Sequence, residues 1–354
     1  MVEGKTPADT NHPADTNHPG ESPDAENRQP PGVSIPAVLG VDVGGTKILV
    51  GAVTRSGEVI EFRRYSMDRS TQALTLGSIQ TAAADFMGAW AGPDLLAVGL
   101  GVVGHTKPSA GLWVRAMNLP IHAPVPLGRL MRKQTGLPSV LDNDVHAATL
   151  AELRWGIGKE TKDFIYLNIG TGLAVGLVCN GQLVRGAANY AGELGHVQVD
   201  PGGSLCACGQ CGCLEPICSG DGIVAQAREE LRDYPDSILF EPLKDGTLSA
   251  SQVFQAAESG DRLAIRITGK AVQALSTALT NLVNLLNPAV IVYGGGVLRN
   301  GWLMEKVSGL VSANALVTAR RALKGIWPSR LDPERAGLLG AASLAWNYLE
   351  KRGR

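Results

Sequence analysis

Residues 38–53 read VLGVDVGGTKILVGAV. Valine, isoleucine and leucine fill both sides of the stretch, the pattern of strands covered on both faces. Gly44-Gly45 interrupts it and allows a tight turn. A second turn at Ser56-Gly57 leads into a third β-rich run, EVIEFRRYS at 58–66. The same order of strand, glycine turn, strand, turn and strand returns at 164–186, FIYLNIGTGLAVGLVCNGQLVRG. Superposing Gly44 on Gly170 lays Asp42 over Asn168 and Val43 over Ile169, and brings Ser56-Gly57 close to Asn180-Gly181, a strong hairpin signal. The repeat predicts two related domains, each opening on a glycine-turn hairpin.

The flanking sequence alternates helical and strand patterns. Helices are expected over 71–90, 144–156, 250–258, 261–286 and 337–352, and buried strands over 95–103 and 289–296. Such alternation indicates an α/β fold with mixed sheets flanked by helices. The expected division is an N-terminal domain over 37–143, a C-terminal domain over 144–336, and a final helix within 337–354 that returns to the first. Residues 1–36 hold seven of the twenty prolines and six acids against two bases, and PADTNH occurs twice in succession. This composition predicts a disordered tail.

The formal net charge of -1 gives no basic footprint for nucleic acid. No apolar run approaches the ~20 residues of a membrane helix, and the polar first residues do not resemble a secretory signal. A cytoplasmic location is expected. Five of the six cysteines fall between Cys206 and Cys218, within HVQVDPGGSLCACGQCGCLE at 196–215 and just beyond it. Clustered thiols beside a histidine in a reducing compartment read as metal ligands. One imidazole and three thiolates would close a tetrahedral zinc site, which is a structural arrangement. Cys179 and Cys218 read as small packed residues.

Three glycine turns follow strands: Asp42-Val43-Gly44-Gly45-Thr46-Lys47, Ile169-Gly170-Thr171-Gly172 and Tyr293-Gly294-Gly295-Gly296. Exposed N–H groups and threonine hydroxyls there can donate to phosphate. Neither a P-loop nor a GxGxxG fingerprint is present. Any one of these turns could equally be a plain hairpin.

With these motifs in place, the chain resembles the ROK family of sugar kinases and related repressors, within the actin-like (ribonuclease H-like) ATPase fold. DVGGTK resembles that fold's first phosphate loop, IGTG its second and YGGG its adenosine loop. AGELGH followed by CACGQCGCLE resembles the family's ExGH and CxCGxxGCxE signature. The resemblance implies two actin-like domains with a structural zinc loop, and a homodimer. It implies Asp144 as catalytic base, and Asn118, Asn143, Asp144, Glu193, His196 and Glu215 as sugar contacts. It also implies His196, Cys206, Cys208 and Cys213 as zinc ligands, and ATP with Mg²⁺ at Asp42, Gly44, Gly45, Thr46, Lys47, Gly170, Thr171, Gly172, Gly294 and Gly295. Cys211 is an extra thiol within the signature and a competing ligand. His146 stands where the family often carries a small polar residue.

Each role has a plainer rival. Asp144 suits a helix N-cap, Asp42 a turn cap, and Lys47, Glu193 and Glu215 solvated charges. Glu152 reads as a solvated helix face. The expected activity is ATP-dependent phosphorylation of a hexose or amino-hexose hydroxyl, most simply O6 of glucose. N-acetylmannosamine, N-acetylglucosamine, fructose, allose and kanosamine remain open, as does polyphosphate as donor. A sugar-responsive regulator is the competing class, disfavoured because 1–36 is too short and proline-rich for a helix-turn-helix.

Overall fold

Two five-stranded sheets share one strand order. The first is built from β1 (Ala37–Val43), β2 (Lys47–Thr54), β3 (Val59–Ser66), β4 (Leu95–Val102) and β7 (Ser139–Asn143). A short ribbon, β5 (His105–Lys107) and β6 (Leu112–Arg115), precedes β7. Helix α1 (Gln72–Ala89) follows β3, α2 (Leu127–Thr135) follows β6, and α3 (Asp144–Trp155) follows β7. The second sheet is built from β8 (Phe164–Ile169), β9 (Leu173–Cys179), β10 (Gln182–Leu183), β11 (Val290–Gly294) and β12 (Gly325–Pro328). Between β10 and β11 run α4 (Glu215–Cys218), α5 (Gly220–Glu230), α6 (Phe240–Lys244), α7 (Ala250–Glu258) and α8 (Arg262–Leu286). Helices α9 (Trp302–Asn314) and α10 (Val317–Ala322) precede β12, and α11 (Ala336–Glu350) closes the chain. This computed structural model describes residues 35–353, so the expected tail lies outside the described residues except for its last two positions.

The orders are β3-β2-β1-β4-β7 and β10-β9-β8-β11-β12. In each, the middle strand pairs antiparallel with its hairpin partner and parallel with the strand on its other side. The repeat read from the glycine turns is therefore a repeat of topology. Asn180 and Gly181 both adopt left-handed backbone, at φ 51° and 72°, as a two-residue hairpin demands. The third strand departs from expectation. β10 has two residues where β3 has eight, because the chain leaves the sheet after Leu183.

Helix α11 lies on the first sheet, where missing side chains let it approach. A Cβ at Gly99 would stand 1.9 Å from the Ala341 carbonyl oxygen, and one at Gly40 would stand 2.9 Å from Leu338. Helix α3 packs between α11 and the second sheet. A Cβ at Gly340 would meet the Ala147 backbone at 2.8 Å, and one at Gly176 would meet Thr149 Oγ1 at 1.7 Å. Among the described residues, no helix is long and apolar enough to cross a membrane.

Candidate active site and metal centre

The carboxyl ends of β1 and β7 bring two acids together. Asp42 is the penultimate residue of β1, and Gly44 N–H closes the following turn on the Lys47 carbonyl at 3.1 Å. A side chain at Gly337, near the start of α11, would collide with the Asp42 carboxylate, so glycine leaves the acid its room. Asp144 is the first residue of α3. The helix cap is Asn143 rather than Asp144, which corrects the capping alternative. Asn143 Oδ1 accepts the Val145 and His146 N–H groups at 2.9 and 3.1 Å. Its amide nitrogen donates to the Gly104 carbonyl at 3.0 Å and to Asp144 Oδ1 at 2.9 Å. All the hydrogen-bonding capacity of this side chain is thus spent inside the protein.

Capping by Asn143 leaves Asp144 free for other work. Burial pushes its carboxyl up to about 6; N–H groups at the helix start and His146 oppose the rise, and the Glu193 charge adds to it. Asp42 is pushed up to about 7, first by burial and then by the Asp144 charge, against the pull of Lys47. Asp144 therefore lies within electrostatic reach of both Asp42 and Glu193. Glu193 Oε1 also stands 3.7 Å from His105 Nε2, and the His105 ring is tilted against Tyr190 at 4.5 Å. Neither His105 nor Tyr190 carried a signal in the sequence. Asn118 is exposed in the loop after β6 and takes no part in these contacts.

The other two glycine turns adjoin each other in the second sheet. Gly170 N–H donates to the Gly172 carbonyl, and Gly220 N–H, at the start of α5, donates to the Gly170 carbonyl at 2.8 Å. Gly295 has φ 100°, and a Cβ there would stand 2.2 Å from the Ile169 carbonyl. The third turn therefore lies directly over the end of β8. Thr46, Lys47 and Thr171 are exposed along these turns. Glu215 sits in the notch between Gly172 and Gly195, where its Oε2 accepts the Leu173 N–H at 2.9 Å. This carboxylate is anchored rather than loosely solvated.

His196, Cys206, Cys208 and Cys213 place one ligand atom each within 4.8 Å of all the others. Cys208 Sγ and Cys213 Sγ are 3.6 Å apart, as are Cys206 Sγ and His196 Nδ1. A tetrahedron with Zn–S bonds of about 2.3 Å has edges of about 3.8 Å. Donor types and spacing thus fit a zinc ion. Cys211 is exposed and outside the quartet. Since Nδ1 faces the thiols, Nε2 of His196 is the ring nitrogen left for another partner.

Glu152 departs from expectation. It is buried, its carboxylate accepting the Ser329 hydroxyl and the Ile157 N–H, and burial raises its carboxyl. Its partner lies far away in sequence, beyond the reach of a helical-face reading. Asp142, just before the Asn143 cap, is buried and accepts the Asn143 N–H at 2.8 Å.

The ROK family profile matches residues 38–347. The chain is 35% identical to a glucokinase of Halalkalibacterium halodurans over 270 residues, 74% of this chain and 81% of the relative. A ROK family glucokinase from Streptomyces griseus, solved with glucose and AMPPNP, superposes with a TM-score of 0.68 at 29% identity, covering 88% of this chain and 99% of the other. A ROK family transcriptional regulator, a homologue of the E. coli MLC protein, superposes with a TM-score of 0.77 at 25% identity. That match covers 88% of this chain and 78% of the regulator.

Proposed function

The chain belongs to the ROK family and is a sugar kinase, and from that premise we propose that it transfers the γ-phosphoryl group of ATP to O6 of a hexose of the glucose type. The observation that carries this reading is the state of Asp144. It opens α3, is relieved of capping by Asn143, and has its carboxyl raised to about 6 beside Asp42 and Glu193. A base near that value is ionised at neutral pH yet basic enough to take a hydroxyl proton in the transition state. The proton of the sugar hydroxyl passes to the Asp144 carboxylate. The sugar oxygen bonds to the γ-phosphorus as the bond to the β–γ bridging oxygen breaks, releasing ADP.

Glu193, His196 and Glu215 hold the sugar, with Asn118 closing from its loop. Asn143 acts at one remove, by orienting Asp144. The turns at 44–47, 170–172 and 294–295 present N–H groups to the phosphates and adenosine of ATP. Asp42 suits Mg²⁺, because a buried carboxyl pushed up to about 7 is stabilised by a nearby cation. Bound Mg²⁺ would neutralise charge on the phosphates. Zinc at the quartet holds the loop that carries His196 and plays no direct part in the chemistry. Residues 37–143 and 144–336 act as two lobes about this site in a cytosolic enzyme.

ADP release by the purified protein, measured with glucose, N-acetylmannosamine, N-acetylglucosamine, fructose, allose and kanosamine, tests the reading. Turnover with glucose foremost is expected. No turnover with any of them sinks it. The likeness to a regulator supports a second reading, which sequence-specific retardation of promoter DNA without sugar turnover would establish.

A further inference from the structure

We propose that His146 is a positioning residue that holds the segment 185–196, which carries Glu193 and His196, in place against Asp144. The proposal rests on the kinase reading for its kinetic test only. His146 lies in the first turn of α3, two residues after Asp144, and is 3% exposed. Its Nε2 meets the Ala191 carbonyl oxygen at 3.0 Å. A carbonyl only accepts, so Nε2 carries the proton and donates it. Ala191 is two residues before Glu193. The helix that begins with Asp144 and the loop that presents Glu193 are therefore joined through one imidazole.

The other ring nitrogen points to the same conclusion. Nδ1 is buried without a hydrogen-bond partner and lies 3.5 Å from Asp142 Oδ1. Asp142 is 1% exposed and gathers both sides of the junction. From its own side it takes the Asn143 N–H, which fixes the turn before Asp144. From the other side it takes Asn189 Nδ2 at 2.9 Å and pairs with Arg185. Arg185 also donates to Asn189 Oδ1 at 2.8 Å, and Asn189 Nδ2 donates to Thr106 Oγ1 at 3.0 Å. Burial would raise the Asp142 carboxyl, but His146, Arg185 and Asn189 around it hold it well below its ordinary range.

The segment needs such anchorage. Gly186, Asn189 and Gly192 all have left-handed backbone, at φ 69°, 67° and 103°. Glycine reaches that region freely but also leaves it freely, so local preference does not fix the path. Gly192 O accepts the Val175 N–H at 2.8 Å, which pins the far end to β9. His146 supplies the corresponding pin toward the base. Without it the segment stays attached but shifts relative to Asp144. The loss should fall on sugar binding and spare ATP, whose turns lie elsewhere.

The test compares His146→Ala with His146→Gln, whose amide nitrogen can reach the position of Nε2 and donate to Ala191. Loss of one buried hydrogen bond predicts a sugar KM about 10-fold higher in His146→Ala. The ATP KM should stay within about twofold of wild type, and His146→Gln should recover most of the difference. Hydrogen exchange of the amides over 186–196 should be about 10-fold faster in His146→Ala, with zinc content unchanged. An unchanged sugar KM, an equal rise in both KM values, or unchanged exchange overturns the proposal. Asn189→Ala reads the same junction if His146→Ala does not fold. A wild-type protein that turns over no sugar defeats the kinase reading alone, and exchange then decides this one.

Discussion

The β1–β2 turn and the β8–β9 turn occupy the same place in two sheets of the same order, yet they differ in charge. Asp42 and Asn168 are each penultimate in the middle strand of their sheet. Each stands opposite a glycine on the neighbouring parallel strand, Asp42 against Gly101 and Asn168 against Gly294. The first sheet keeps an acid there and sets a second, Asp144, two strands away. The second sheet has a neutral amide and spends its acidic side chain, Glu215, on a backbone N–H. One half gathers negative charge that needs a cation or a proton, and the other offers uncharged donors. The difference teaches that duplicated topology need not duplicate chemistry, since acidic charge collects beside one turn and an amide stands at the other.

Removing the charged half's base should have the largest effect. Asp144→Asn is expected to lower kcat by ~10²–10⁴ while leaving sugar affinity near wild type. Rapid-quench turnover and sugar-binding calorimetry check this, and near-normal turnover would refute the assignment. Disturbing the other half should act on affinity instead. Cys208→Ser, or chelation of about one zinc per chain, should release His196 and cost up to about 10² in kcat/KM for sugar. Cys211→Ser should keep its zinc by metal analysis, because Cys211 stands outside the quartet.

The two halves should also separate by pH. With Asp144 raised to about 6, kcat/KM for sugar should fall about tenfold per unit as pH drops below that value. A flat acid limb down to pH 5 would count against Asp144. The smallest effect comes from making the first turn a chemical copy of the second. Asp42 holds its proton more tightly folded than unfolded, so it lowers stability progressively as pH rises from about 4 to about 7. Asp42→Asn should therefore leave stability unchanged below pH 4 and raise it by about 1–3 kcal/mol above pH 7. Denaturant titration at both pH values measures this.

The repeat was legible because buried strands need uninterrupted apolar runs and their turns need glycine, and both leave local marks. The His–Cys quartet was legible for the same reason, since its three cysteines lie within eight residues of one another. What escaped depended on contacts between distant segments. Glu152 looks like a surface acid until Ser329 is brought beside it. His105 meets Glu193, and Asp142 meets Asn189, only after both sheets have formed. Nor could sequence choose between Asn143 and Asp144 as cap, because both side chains suit the task. Asn143 Oδ1, which accepts the Val145 and His146 N–H groups, distinguishes them.

The crossing of α3 and α11 has a mechanical meaning. At Gly340 and Ala147 the helices touch backbone to backbone, too close for even a methyl group. Such a contact leaves the packing no slack. Any residue larger than glycine at 340 would act as a wedge, driving α3 and α11 apart.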